Sequence, residues 1–213
     1  FLSTRQKAHF MSFNLSLLFS TTATIGLILR SRLGQQSKEK NRKTLQNTII
    51  IRVACKNDVP SILNIYEKYA NDPTSVVSFE EVAPSVTEME ERRVNVVSNG
   101  DPYLVATTND NRVVGYAYSH PFRKRTAYSK TTEISIYVAE NMQGRGVGKM
   151  LMKELIAYCK TVSKKKSLIA VLGSEKLQTF YKRFGFRTVG CLRSVGYKKE
   201  VGWIDRWVME LVF

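Results

Sequence analysis

The stretch from Thr131 to Ser163, TTEISIYVAENMQGRGVGKMLMKELIAYCKTVS, constrains the fold more than any other part of the chain. It opens with alternation: Ile134, Ile136 and Val138 fall on one side of an extended segment, Glu133, Ser135 and Tyr137 on the other, the pattern of a half-buried strand. It closes at helical spacing, with Val147, Met150, Leu151, Leu155, Ile156 and Tyr158 forming an apolar face. Between them lies Gln143-Gly144-Arg145-Gly146-Val147-Gly148. A helix N-terminus leaves its first backbone N–H groups without intrahelical partners, and three glycines remove the side chains that would screen them. Strand, phosphate-sized cradle and helix in that order point to a nucleotide-containing cofactor.

Glycine spacing alone is also compatible with a plain connecting turn. No Gly-Lys-Ser/Thr follows, so the turn is not a Walker loop. It lacks the third glycine of a dinucleotide fingerprint as well, because Lys149 stands three residues after Gly146.

Beyond the loop, the sequence resembles a known family. Gln143-x-x-Gly146-x-Gly148 after an apolar strand is similar to the acyl-CoA signature Q/R-x-x-G-x-G/A of the GNAT N-acetyltransferases. Five further segments resemble the phosphinothricin N-acetyltransferase-like branch: Ile51-Arg52, Gly115–Tyr118, Pro121–Tyr128, Thr132–Val138, and Gly190–Lys198 with Trp203 and Asp205. Together they spread the resemblance over nearly all of the chain from Ile49 to Phe213. The resemblance implies a mixed α/β (α+β) GNAT-like fold: a mostly antiparallel central sheet, a splayed parallel strand pair and about four flanking helices. It implies acetyl-CoA as co-substrate and direct acetyl transfer to the amino group of a small amino acid or analogue, of the phosphinothricin or methionine sulfoximine type. The alternatives are a non-catalytic acyl-CoA-binding pseudoenzyme and a protein N-acetyltransferase.

Charge invites a rival class. The formal net charge is +15 and the pI is near 9.8, values at home in nucleic-acid binding proteins. No zinc-finger, RRM or basic-zipper pattern accompanies them, and the positive charge after residue 50 is spread over helices and loops. A positive field also draws CoA phosphates and carboxylates, so no nucleic-acid partner is expected. Cys55, Cys159 and Cys191 are odd in number and far apart, and His9 and His120 are the only histidines. Neither a disulfide framework nor a metal site is expected.

The first fifty residues carry eight Lys/Arg against one acid, Glu39. Phe13 to Leu29 is apolar but interrupted by Ser and Thr, where a membrane span needs about twenty apolar residues. Residues 1–48 therefore read as a basic extension outside the fold: a targeting segment, an anchor or a disordered tail. The cytoplasm is the expected compartment of the catalytic domain at 49–213. Mitochondrial location or membrane contact would act through residues 1–48, and the resemblance also allows a homodimer.

The remaining elements follow in order. Ile49–Ala54 reads as a strand, and Asp58 is placed to cap a helix burying Ile62, Leu63, Ile65, Tyr66 and Tyr69. Val76–Phe79 reads as a short extended segment. Ser85-Val86-Thr87-Glu88 is a capping box opening a helix to about Asn99. Tyr103–Thr108 and Val113–Ser119 form a hairpin, Ser167–Leu172 a strand, and Leu177–Phe184 a short helix. Phe186–Leu192 and Ile204–Phe213 complete the sheet.

For the chemistry, Glu133 is the candidate base: a carboxylate on the polar face of the organising strand, at the family's catalytic glutamate. Its plainer reading is an exposed strand carboxylate, paired with Lys130. The resemblance implies that Ile136, Tyr137 and Val138 meet the cofactor through main-chain groups and that Gln143, Gly144, Arg145, Gly146, Val147 and Gly148 hold its pyrophosphate. Tyr181 stands where many GNAT members carry a general acid, or packs as an ordinary helix aromatic. The family's cofactor-contacting asparagine is absent from the short loop Leu172–Gln178; Ser174 either replaces part of that contact or caps the helix. Phe79, Arg123, Arg125 and Tyr128 are candidates for the acceptor site, the two arginines as bidentate carboxylate or phosphinate ligands or as part of a solvated basic loop. None of the cysteines sits in an activated pair, so no covalent step is expected.

Overall fold

The computed structural model describes residues 48–213. All but the last residue of the basic extension read at 1–48 lies outside the described residues. Seven strands form one sheet in the order β1-β2-β3-β4-β5-β7-β6. They are β1 (Ile50–Val53), β2 (Tyr103–Thr107), β3 (Val113–Pro121), β4 (Thr131–Val138), β5 (Ser167–Leu172), β6 (Arg187–Lys198) and β7 (Gly202–Val212). Four α-helices accompany them: α1 (Val59–Ala70), α2 (Val86–Ser98), α3 (Val147–Thr161) and α4 (Gln178–Lys182). Every neighbouring pair of strands is antiparallel except β4 and β5. This is the mixed, mostly antiparallel architecture with one parallel pair and four helices that the resemblance implied.

Two cores result, one on each face of the sheet. On one side, α3 buries Val147, Leu151, Met152, Leu155 and Cys159 against Ile134, Leu168, Ala170 and Met209. Met152 and Cys159, rather than the expected Met150 and Tyr158, complete the stripe, because the helix is turned slightly about its axis; Met150 is exposed. On the other side, α1 and α2 cover Tyr103, Val105, Tyr116 and Tyr137. Burying each large side chain fully contributes about 2 kcal/mol, so both faces are committed.

Local chemistry differs from expectation at several boundaries. Strand β6 runs on to Lys198, well past Leu192, because it pairs with β7 through two register shifts. Residues 71–84 form a loop without strand pairing, not the extended segment read at Val76–Phe79. Ser85 does cap α2, accepting from the Glu88 N–H at 3.1 Å. Asp58, by contrast, gives no side-chain cap to α1. Its carboxylate accepts two 2.7 Å bonds from the Arg52 guanidinium and one from the Cys55 N–H. Burial alone would raise this carboxyl, but Arg52 and the Cys55 N–H outweigh it and hold it below its ordinary value.

A carboxylate depressed in the folded state stabilises above its unfolded pKa, and that stability is lost as pH falls through the folded value. Asp58→Asn should therefore cost about 2 kcal/mol at neutral pH. The deficit should shrink below about pH 4, as the native carboxyl also becomes neutral. Urea unfolding of both proteins across pH 3–7 checks this; a pH-independent deficit would discount the ion pair.

Candidate active site

The site begins where β4 and β5 part. They pair in parallel for three residues only, Thr131↔Ser167, Thr132↔Leu168 and Glu133↔Ile169. Beyond Glu133 the rest of β4, Ile134 to Val138, has no partner on that side, while β3 continues alongside it to Val138. The Ala139 N–H donates to the Val114 carbonyl on β3. Alternation along an antiparallel ladder then turns the main chain of Glu133, Ser135 and Tyr137 toward β3, and that of Ile134, Ile136 and Val138 toward the gap. Of the three residues expected to offer main-chain groups, Ile136 and Val138 face the opening. Tyr137 does not; its N–H belongs to the β3 ladder. The Val138 carbonyl already accepts a 2.7 Å bond from the Tyr69 hydroxyl, which leaves its N–H and both main-chain groups of Ile136.

At the wide end of the gap stands the glycine turn. Gly146 takes φ +86° as the N-cap of α3 and Gly144 takes φ +71°. Both conformations are costly for a residue with a Cβ. None of the backbone N–H groups from Gly144 to Lys149 has an acceptor among the described residues; the first to find one is Met150, on the Gly146 carbonyl at 3.1 Å. Six unmatched donors at the positive end of a fifteen-residue helix suit a pyrophosphate. Gln143 acts otherwise through its side chain, whose amide donates to the Tyr69 hydroxyl at 3.0 Å and so ties the turn to α1. Arg145 is exposed, Val147 is buried in the core, and a Cβ on Gly148 would meet the Phe180 ring at 3.6 Å. These residues fit an acyl-CoA: an anion cradle, then an unpaired strand edge leading to a fork.

Glu133 sits at the fork. It is half-buried, lies opposite His120 on β3 and Ile169 on β5, and has no ion-pair partner among the described residues. Lys130 does not engage it. Its face is aromatic. Tyr103, Tyr116 and Tyr118 stack, Tyr116 stacks on Tyr137 at 4.9 Å, and Tyr66 and Tyr69 meet Tyr137 edge-on. A cavity of about 290 Å³ lies between α2 and this layer, lined by Tyr66, Met89, Arg92, Tyr103, Tyr118 and His120 among others.

The loop of residues 71–84 crosses the same face. It is held by Tyr66 to Ser78 at 2.9 Å, by Arg92 to Glu80 at 2.8 Å, and by Arg206 to the Val76 carbonyl at 2.9 Å. Phe79, on this loop, lies beneath the Arg206 guanidinium, 3.5 Å from ring centre to charge. Its ring occupies the space that a Cβ on Gly196 would need. Phe79 thus joins the Glu133 face. Arg123, Arg125 and Tyr128 remain exposed on the β3–β4 connection, where Arg123 rests on the Phe122 ring at 4.8 Å. Among the described contacts, none brings them to Glu133.

Tyr181, on α4, is buried, and burial raises its hydroxyl well above the ordinary value. The group keeps its proton and lies in the neighbourhood of Tyr137. Ser174 precedes the turn into α4 but makes no side-chain cap. Cys159 is buried and its thiol is pushed up to about 11 by desolvation, which leaves no reactive thiolate there. Among the described residues, no cluster of three or more His, Cys, Asp or Glu could hold a metal, and no helix is long and apolar enough to cross a membrane.

Arg206 was missed in the sequence, although a signal exists: it interrupts the alternation Ile204, Val208 on β7, a charge at an inward-facing strand position. Lys198 was missed too, buried at the end of β6 with its ammonium on the Asp72 carbonyl at 3.3 Å.

Comparison with known proteins agrees with this geometry. The profile of the Acetyltransferase (GNAT) family matches residues 61–186. A phosphinothricin N-acetyltransferase of Alcaligenes faecalis is 39% identical over 163 residues, covering 75% of this chain and 80% of that protein. An L-methionine sulfoximine/L-methionine sulfone acetyltransferase of Pseudomonas aeruginosa is 28% identical over 162 residues, covering 76% and 92%. Among solved structures, a GNAT superfamily phosphinothricin acetyltransferase from Sinorhizobium meliloti in complex with acetyl-CoA is similar, with TM-score 0.72 and 34% identity over 78% of this chain and 89% of that one.

Proposed function

This chain belongs to the GNAT acetyltransferase family, and from that premise we propose that it carries the acetyl group of acetyl-CoA directly to the amino group of a small amino acid or analogue. Phosphinothricin and methionine sulfoximine, the compounds named for its relatives, are the reference acceptors. The observation that carries the reading is the fork: a free carboxylate, Glu133, where two parallel strands separate, at the head of an unpaired strand edge that leads to an anion cradle.

In this reading the backbone N–H groups from Gly144 to Gly148 hold the pyrophosphate, and Gln143 braces the turn. The edge of Ile136 and Val138 pairs with pantetheine. Glu133 takes the proton of the acceptor ammonium, directly or through water. As the C–N bond forms, the gap-facing N–H groups of β4 stabilise the charge on the carbonyl oxygen. As the C–S bond breaks, Tyr181 supplies the proton to the thiolate. Its burial keeps the hydroxyl protonated but also makes it a weaker acid, so the transfer relies on the high basicity of a thiolate released into a water-poor site. Phe79 and Tyr137 shape the acceptor side. Ser174, with its hydroxyl not engaged in a cap, fits a cofactor contact. Arg123, Arg125 and Tyr128 could join only if their loop folds inward on acceptor binding.

The test is thiol release from acetyl-CoA by a chain shortened to residues 47–213, against free amino acids, phosphinothricin and methionine sulfoximine. Turnover with a small acceptor at the rate of the full chain is expected, which also treats residues 1–46 as dispensable for catalysis. CoA binding without turnover on any small amine would favour a pseudoenzyme or a protein-directed transferase.

A homodimer is the proposed assembly. Val189, Leu192, Val195, Tyr197 and Trp203 are each more than half exposed along the β6–β7 ribbon, an apolar surface of the kind that marks an interface. Sedimentation should give a dimer, and Trp203→Glu should shift it to monomer. The catalytic domain is assigned to the cytoplasm, with any organelle or membrane address resting on residues 1–48.

A further inference from the structure

Arg206 is a buried charge that the fold uses only in part. It is 8% exposed, and no carboxylate lies within ion-pair distance of it among the described residues. A guanidinium has five N–H donors. One nitrogen serves the Val76 carbonyl; no acceptor for the others is found among the described residues, and they are not sealed from solvent. Desolvation lowers its pKa, while Tyr137 and Glu133 lie close enough to oppose that effect. The register places Arg206 on the Glu133 face: Glu133 is level with Ile169 on β5, Ile169 pairs with Glu210 on β7, and Val208 and Arg206 follow at alternate positions.

This face therefore holds one free carboxylate and one half-satisfied guanidinium, with the Phe79 ring fixing the plane of the second. A zwitterion has the complementary charges, an ammonium for Glu133 and an oxyanion for Arg206. Resting on the N-acetyltransferase reading above, we propose that Arg206 determines acceptor specificity by binding an oxyanionic group of the acceptor, so that the substrates are amines carrying a carboxylate or phosphinate. A planar fork of N–H donors recognises such groups bidentately. Polyamines and simple amines are then excluded, since they would leave the guanidinium uncompensated beside a further positive charge.

The experiment compares full-length wild type with Arg206→Met and Arg206→Lys, using methionine sulfone, methionine sulfone amide and phosphinothricin. Wild type should prefer methionine sulfone to its amide by about 30-fold or more in kcat/KM. Arg206→Met should lower kcat/KM for the acid about 100-fold while leaving the amide within about threefold, so that the preference collapses, with KM for acetyl-CoA unchanged. Arg206→Lys should recover part of it. A larger loss for phosphinothricin than for methionine sulfone would mark the phosphinate, and equal losses the α-carboxylate, as the group held; either supports the assignment. Equal losses for acid and amide, with no larger loss for phosphinothricin, would reduce Arg206 to a staple for the 71–84 loop and overturn it. If wild type turns over none of the three, the activity reading fails. Calorimetry of methionine sulfone with the CoA-bound proteins then judges Arg206 separately: about a tenfold rise in Kd in Arg206→Met supports it, and equal Kd values overturn it.

Discussion

Glu133→Gln is expected to lower kcat by about 10²- to 10⁴-fold, the usual contribution of a positioned general base, with the Kd for CoA unchanged. The substitution keeps the size and hydrogen-bonding capacity of the side chain and removes only its ability to take a proton. The strand should tolerate it: Glu133 has no ion-pair partner among the described residues to lose, and its backbone is fixed by β3 on one side and by the last β5 pair on the other. The cradle at Gly144–Lys149 lies at the far end of the gap, which is why CoA affinity should hold. Steady-state kinetics beside CoA calorimetry separates the two effects. A variant that keeps more than about a third of wild-type kcat would show that the acceptor loses its proton to solvent before it binds, leaving Glu133 a bystander.

Gly173→Ala should have the largest effect on stability. A Cβ at this position would lie 1.8 Å from the Val76 carbonyl oxygen and 2.9 Å from the Arg206 guanidinium. The first of these is backbone and cannot swing away as a side-chain tip can. Either β5 shifts or the 71–84 loop is expelled, at a cost of about 3 kcal/mol, the upper range for overpacking, and a fall of roughly 10 °C in Tm. Turnover should fall with it, since the same loop carries Phe79. Gly190→Ala, where an added Cβ meets nothing within 4 Å, is the control and should melt like wild type. If Gly173→Ala melts within about 2 °C of wild type, the loop is not seated on this strand.

Much of this was legible before any coordinates. The alternation on β4, the glycine turn and the stripe on α3 are local patterns, and the mostly antiparallel sheet with its one parallel pair followed from a resemblance spread over residues 49–213. The glycine turn with its unmatched N–H groups was readable because a helix N-terminus defines itself over six residues. The proposed acceptor side was not, because it is assembled from distant pieces. Arg206 on β7, Phe79 on an irregular loop and Gly196 on β6 are brought together by a crossing loop whose path no local periodicity records. For Arg123 and Arg125 the same lack of long-range information left two readings open, acceptor ligands or a solvated basic loop, and both side chains are exposed on the β3–β4 connection. Asp58 failed as a cap for a related reason: an N-cap signal competes with any arginine that tertiary structure brings near, and Arg52 on the neighbouring strand won.

The two-residue repeat of β4 has a consequence for how such an enzyme diversifies. Glu133, Ser135 and Tyr137 send their side chains to the tyrosine-lined face proposed for the acceptor, while Ile134, Ile136 and Val138 send theirs into the core beneath α3 and lend only main-chain groups to the gap. Preference for a new amine can therefore drift through odd-numbered positions and through β7 without disturbing the grip on a common acyl donor. Selection acting on one partner leaves the other nearly untouched, as though two separately tunable proteins shared a single strand.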